Sequence, residues 1–249
     1  MIDFSPLHIL AIALVFFLAG AVKGVTGMGL PTVAMGLLGV IMPPVGAAAL
    51  LIAPSFVTNV WQLFSGPSFA ALASRLWLMM LGIAAGAIAG ARLLTSDAAR
   101  WTTMGLGAAL TIYAGISLLA WRWSVPAHME RRLSPFIGLA TGVITGGTGV
   151  FVIPAVPYLQ ALDLDKEDLI QALGLSFTVS TIALAIGLAG NGAFQFGNID
   201  ASALAIAPAL LGMGLGQRIR QRVSPAAFRR WFLIGLLLLG LQLVLRPLL

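Results

Sequence analysis

Apolar residues run along this chain in blocks that approach the length of a membrane-crossing helix. The blocks cover about residues 7–24, 30–42, 45–64, 76–94 and 101–121. A polar interval follows from Arg122 to Ser134, with His128, Glu130, Arg131 and Arg132. The blocks then resume at about 135–145, 149–162, 169–190, 200–217 and 228–245. A helix needs about 20 apolar residues to cross a hydrocarbon layer about 30 Å thick. The pattern therefore predicts an all-α integral membrane protein, a single membrane domain over residues 1–249. In each half the first two blocks are short and read together as one span, broken at a glycine-rich segment. That gives about four net transmembrane helices per half.

Five blocks, a linker and five blocks suggest a duplication. Repeat one is expected over about residues 6–121, the linker over 122–134 and repeat two over about 135–249. Residue matches keep the same order in both halves. Gly27-Met28-Gly29 pairs with Gly147-Thr148-Gly149, and Ser55-Phe56 with Ser176-Phe177. Gly90-Ala91-Arg92 pairs with Gly216-Gln217-Arg218, and Arg100-Trp101 with Arg230-Trp231. Internal repeats are a common transporter device, with substrate held at the repeat interface near mid-membrane.

Lysine and arginine near span ends set membrane orientation. Arg92 and Arg100 flank one loop, and Arg218, Arg220, Arg222, Arg229 and Arg230 flank its counterpart. The rule puts both loops in the cytoplasm, which implies parallel repeats with both termini outside. The basic linker then also falls outside, against the same rule. If the short blocks form hairpins instead, the repeats are inverted.

Composition agrees with lipid as the main solvent. Apolar residues make up 59% of the chain and charged ones 9%, against about 25% charged in a soluble domain. Mean hydropathy is +1.02. The net charge of +6 sits where apolar blocks end, which points to topology and lipid contact rather than nucleic acid. The absence of cysteine excludes disulfides, thiolate metal sites and cysteine nucleophiles. The start, Met1 to Pro6, lacks a basic n-region and is not expected to be a cleaved signal.

The densest chemical signal is Gly20 to Pro31, with Gly24, Thr26, Gly27 and Gly29, matched by Gly138 to Pro154, with Gly142, Thr145, Gly146, Gly147, Thr148 and Gly149. Glycine costs about 1 kcal/mol in a helix interior and proline about 3, so both stretches should unwind. Unwound backbone at membrane depth survives only against protein or a wet cavity. A helix resuming there presents free N–H groups to an anion. Gly82, Gly86, Gly90, Gly105 and Gly107 read instead as close helix packing.

Lys23 carries the most weight. It lies late in the first apolar block, while Asp3, Asp97, Glu130, Asp163, Asp165, Glu167, Asp168 and Asp200 all fall in loops or at helix ends. A membrane cation without an acidic partner is a functional hypothesis; the competing account is snorkelling to a headgroup. Asn59 is the best of the other polar candidates, because an amide in an apolar helix needs partners. The expected substrate-binding set is Lys23, Thr26, Gly27, Gly29, Asn59, Thr145, Gly147, Thr148, Gly149 and Ser176.

On these paired glycine stretches, and on the Gly-x-Arg ends followed by Arg100-Trp101 and Arg230-Trp231, the chain resembles the TauE/SafE sulfite-exporter family over nearly its whole length. It departs from the family pattern at Lys23 and Met28. The resemblance implies a multi-pass transporter of the cell (inner or plasma) membrane that handles sulfite, sulfoacetate or other sulfonates, usually as export. Two glycine breaks facing each other across the repeat interface would hold the anion, with alternating access and no cofactor. An anion channel is the nearest alternative. An intramembrane hydrolase using Ser176 with Lys23 is a remoter one, and an enzyme is not expected. Small residues on several helix faces permit a homodimer.

Overall fold

In lipid every backbone N–H and C=O needs an internal partner, which drives such a chain into helices. The computed structural model describes residues 6–96, 99–119, 124–193, 202–222 and 224–246, which form helices and short connections without a strand. The helices are α1 (Pro6–Thr26), α2 (Leu30–Ile41), α3 (Pro44–Leu63), α4 (Phe69–Leu94), α5 (Ala99–Leu118), α6 (Ala127–Thr148), α7 (Ala155–Gln160), α8 (Lys166–Gly190), α9 (Ile206–Arg220) and α10 (Pro225–Leu245). Six of them, α1, α3, α4, α8, α9 with the turn before it, and α10, are long and apolar enough to cross a membrane. Most of the expected linker is helix, since His128 to Ser134 belong to the first turns of α6. The block at 149–162 is mainly irregular backbone leading into the six-residue α7.

Glycine sets how the helices pack. A methyl group at Gly20 would strike the carbonyl oxygen of Ala209, and one at Gly24 that of Met213. Reciprocally, Gly212 faces the carbonyl of Phe17 and Gly216 that of Ala21. Thus α1 and α9 lie backbone to backbone and advance in the same direction. Helices α4 and α6 pack the same way. Gly142 faces Ile83, Gly146 faces Ala87, Gly86 faces Leu139 and Gly90 faces Val143. Small residues permit this approach where lipid offers little hydrophobic drive for helices to associate. Gly20, Gly24, Gly142 and Gly146 are therefore packing residues, although they sit within the glycine-rich stretches.

The other contacts fix direction. α5 and α10 are antiparallel, with Gly107 beside Gly240 and Val244, and Gly240 beside Thr111. α3 and α8 are antiparallel, with Gly174 against Leu63 and Asn59 bonded to Thr181. α2 runs alongside α10, from Gly29 at Phe232 to Gly39 at Leu243. Since α10 returns from the turn after α9, α2 runs opposite to α1. The first two blocks are thus a hairpin, not one broken span. The expectation of loops on a shared face fails for the same reason. The connection after α4 lies at one end of the bundle and the one after α9 at the other.

Pro54 interrupts α3. It supplies no N–H for the Leu50 carbonyl. Ser202, just before α9, repairs the gap: its hydroxyl donates to Leu50 O at 2.9 Å and accepts from Ala53 N at 2.9 Å.

Candidate functional site

The two glycine turns share one local geometry. After α1 the Gly27 N–H donates to Lys23 O at 2.8 Å, and after α6 the Gly149 N–H donates to Thr145 O at 2.7 Å. Gly27 (φ 77°) and Gly149 (φ 72°) both adopt the left-handed conformation that closes a helix. The preceding threonine behaves alike in both. Thr26 Oγ1 donates to Val22 O and lies 3.3 Å from Met28 N; Thr148 Oγ1 donates to Ile144 O and lies 3.2 Å from Val150 N. The geometric match pairs Thr26-Gly27 with Thr148-Gly149, two residues from the pairing read in the sequence. Lys23 then corresponds to Thr145, whose hydroxyl donates to Val150 O at 3.3 Å.

These hydroxyls serve their own turns, and Gly149 is faced by the Met35 side chain. Gly29 (φ 101°) lies near Val22 and Phe232, and Gly147 makes only ordinary contact with Leu93.

Lys23 and Asn59 do come together. The side chain of Lys23 is buried in the bundle at 3% exposure. Its Nζ donates to Asn59 Oδ1 and, at 3.2 Å, to Thr58 Oγ1. Asn59 Nδ2 donates onward to Thr181 Oγ1 at 3.3 Å, and Thr181 donates to Phe177 O at 2.7 Å. Thr58 Oγ1 in turn donates to Pro54 O at 2.8 Å. An ammonium has three N–H groups, and two of them find partners among the described residues. The ion pair found among the described residues, Arg75 with Glu130, involves neither Lys23 nor its partners. Lys23 is held by neutral dipoles.

The same helices bury further polar atoms. Ser55, Asn59 and Gln62 lie at i, i+4 and i+7 and so share one face of α3. Ser176 and Ser180 lie at i and i+4 on α8. Ser55 Oγ, Gln62 Oε1, Ser176 Oγ and Ser180 Oγ are buried without a hydrogen-bond partner among the described residues. Such atoms are uncommon in native structures and call for a water, an ion or a ligand. Sequence reading named Asn59 and Ser176 but missed Thr58 and the role of Thr181. The i, i+4, i+7 spacing through Ser55 was the signal that could have found the seam.

A buried cation and a polar seam inside an apolar bundle suit a small, hydrated anion. Comparison with known protein families matches residues 12–243 to one described as sulfite exporter TauE/SafE. The chain belongs to the TauE/SafE family. That membership and the apolar helices make it a multi-pass membrane transport protein of the sulfite-exporter kind. Comparison with curated proteins gives no match, and comparison with solved structures gives none.

Proposed function

We propose that this TauE/SafE protein exports small sulfur oxyanions, sulfite or organic sulfonates such as sulfoacetate, across the cell membrane. The observation that carries the proposal is Lys23 of α1, a buried cation whose partners among the described residues are the neutral Thr58 and Asn59 of α3. Burying an uncompensated charge is costly, and a substrate anion supplies the missing charge. Ser55, one turn from Asn59 on α3, would donate to its oxygens. Thr26, Gly27, Gly29, Thr145, Gly147, Thr148 and Gly149 would shape the two hairpin turns that bound the site.

Two inverted repeats are part of the same proposal. Helices α1, α3, α4 and α5 run opposite to α6, α8, α9 and α10, and the reciprocal glycine contacts support the correspondence. Gly20 faces Ala209 as Gly142 faces Ile83, and Gly24 faces Met213 as Gly146 faces Ala87. Inverted repeats suit alternating access, since one sequence pattern can build both an outward and an inward opening. Arg131, Arg132, Lys166, Arg218, Arg220, Arg222, Arg229 and Arg230 gather at one end, against Arg92, Arg100 and Arg246 at the other. The positive-inside rule makes the richer end cytoplasmic and leaves both helical termini outside. One negative charge leaving an inside-negative cell gains about 2.3 kcal/mol per 100 mV, so export needs no coupling ion. Sulfite counterflow in proteoliposomes tests the proposal; exchange that saturates and that Lys23→Met weakens is the expected result.

A further inference from the structure

Arginines at the cytoplasmic end differ in what they face. Arg218, Arg222 and Arg230 are exposed, as residues that only set topology would be, whereas Arg220 and Arg229 are half-buried. Both line a cavity of about 230 Å³ between the end of α9, the start of α10 and the first glycine turn. Thr26 and Met28 of that turn, Tyr113 of α5 and Phe232 of α10 complete the wall. No ion pair reaches either arginine among the described residues. Two guanidinium groups beside one small cavity without a carboxylate repel each other until an anion lies between them. Guanidinium matches the geometry of a tetrahedral or pyramidal oxyanion better than an ammonium does.

We propose that this cavity is a second oxyanion site, at the cytoplasmic mouth, where Arg220 and Arg229 capture the anion before it reaches Lys23. The inference rests on the transport reading above for its role, but the site itself is defined by the cavity and its arginines. Thr26 belongs to the turn only three residues from Lys23, so the mouth and the central cluster adjoin the same end of α1. Under the repeat correspondence, Arg220 and Arg229 match Leu94 and Ala99, so the pair is not part of the duplicated framework. The asymmetry places a capture site on the side from which an exporter loads. The ligand chemistry, an oxyanion, fits either the sulfur substrate or a phospholipid phosphate.

Sulfite binding to the full chain in nanodiscs tests this directly, in the Lys23→Met background, where the central site is disabled. In phosphatidylcholine discs, that variant should retain sulfite binding. Adding Arg220→Gln and Arg229→Gln should weaken the binding at least about tenfold, as expected for losing charge-assisted hydrogen bonds. Adding Arg222→Gln should leave it unchanged. Discs containing phosphatidylglycerol separate the two sources. Sulfite binding that survives the anionic lipid assigns the site to substrate. Binding that the lipid displaces, in a manner requiring both arginines, keeps the oxyanion site and assigns it to a headgroup. Sulfite binding in Lys23→Met unaffected by both substitutions, or absent with either lipid while the chain remains folded by thermal melting, overturns the proposal. Counterflow of the wild type reports separately on transport, so the two readings fail independently.

Discussion

At the scale of single residues, the proposed function rests on Lys23 and Asn59. Asn59 offers its oxygen to the cation and its nitrogen to Thr181, so its amide orientation is set by both neighbours. Asn59→Asp keeps the shape but adds a permanent anion beside Lys23. If the ammonium exists to hold substrate, this variant should melt at or above the wild-type temperature yet lose sulfite counterflow. A purely structural lysine would tolerate the change with transport intact. Thr181→Val removes two neutral hydrogen bonds, the one accepted from Asn59 and the one donated to Phe177 O, and should cost about 1–3 kcal/mol in stability, read as a drop in melting temperature. Lys23 was legible in the sequence because charge is rare in apolar blocks. Its partner Thr58 was not, because a threonine in a membrane helix usually bonds to its own backbone, and Thr58 does that as well.

At the scale of helices, the glycines divide into two kinds that the sequence does not distinguish. Gly24 has backbone of α9 where its side chain would be, whereas Gly27 has nothing within reach but a φ of 77°. Gly24→Val should therefore force α1 and α9 apart and cost more than the usual 1–3 kcal/mol of about one overpacked site. Gly27→Ala should cost about 1–2 kcal/mol through left-handed strain alone. Thermal melting in detergent would rank them, and a Gly24→Val protein as stable as Gly27→Ala would contradict the packing described. Helix positions followed from block length, but the hairpin of α1 and α2 did not. A glycine cluster predicts that a helix stops; whether the chain continues or turns back depends on what α2 packs against, here α10.

At the scale of the whole molecule, topology carries the strongest consequence. Helix directions place Ser65 and Ser224 at the arginine-rich end and Ser96 at the other. The chain has no cysteine, so single replacements there can be labelled without background. Ser65→Cys and Ser224→Cys should react only after the membrane is opened, and Ser96→Cys in intact cells. Labelling of Ser96→Cys and Ser224→Cys from the same side would restore the parallel arrangement that charge counting alone suggested. That counting misled because it matched arginines of equivalent loops before the direction of either loop was known. The apolar blocks gave the membrane class, since it rests on composition. Orientation rests on long-range contacts that no local pattern encodes.

The most direct test of the central claim is counterflow of labelled sulfite into proteoliposomes loaded with unlabelled sulfite, comparing wild type with Lys23→Met. The wild type should exchange saturably and discriminate against chloride and a cation. Lys23→Met should fold but raise the half-saturating concentration roughly tenfold or more, the scale of one lost charged contact. Equal exchange by both proteins, or none by a folded wild type, would contradict the account.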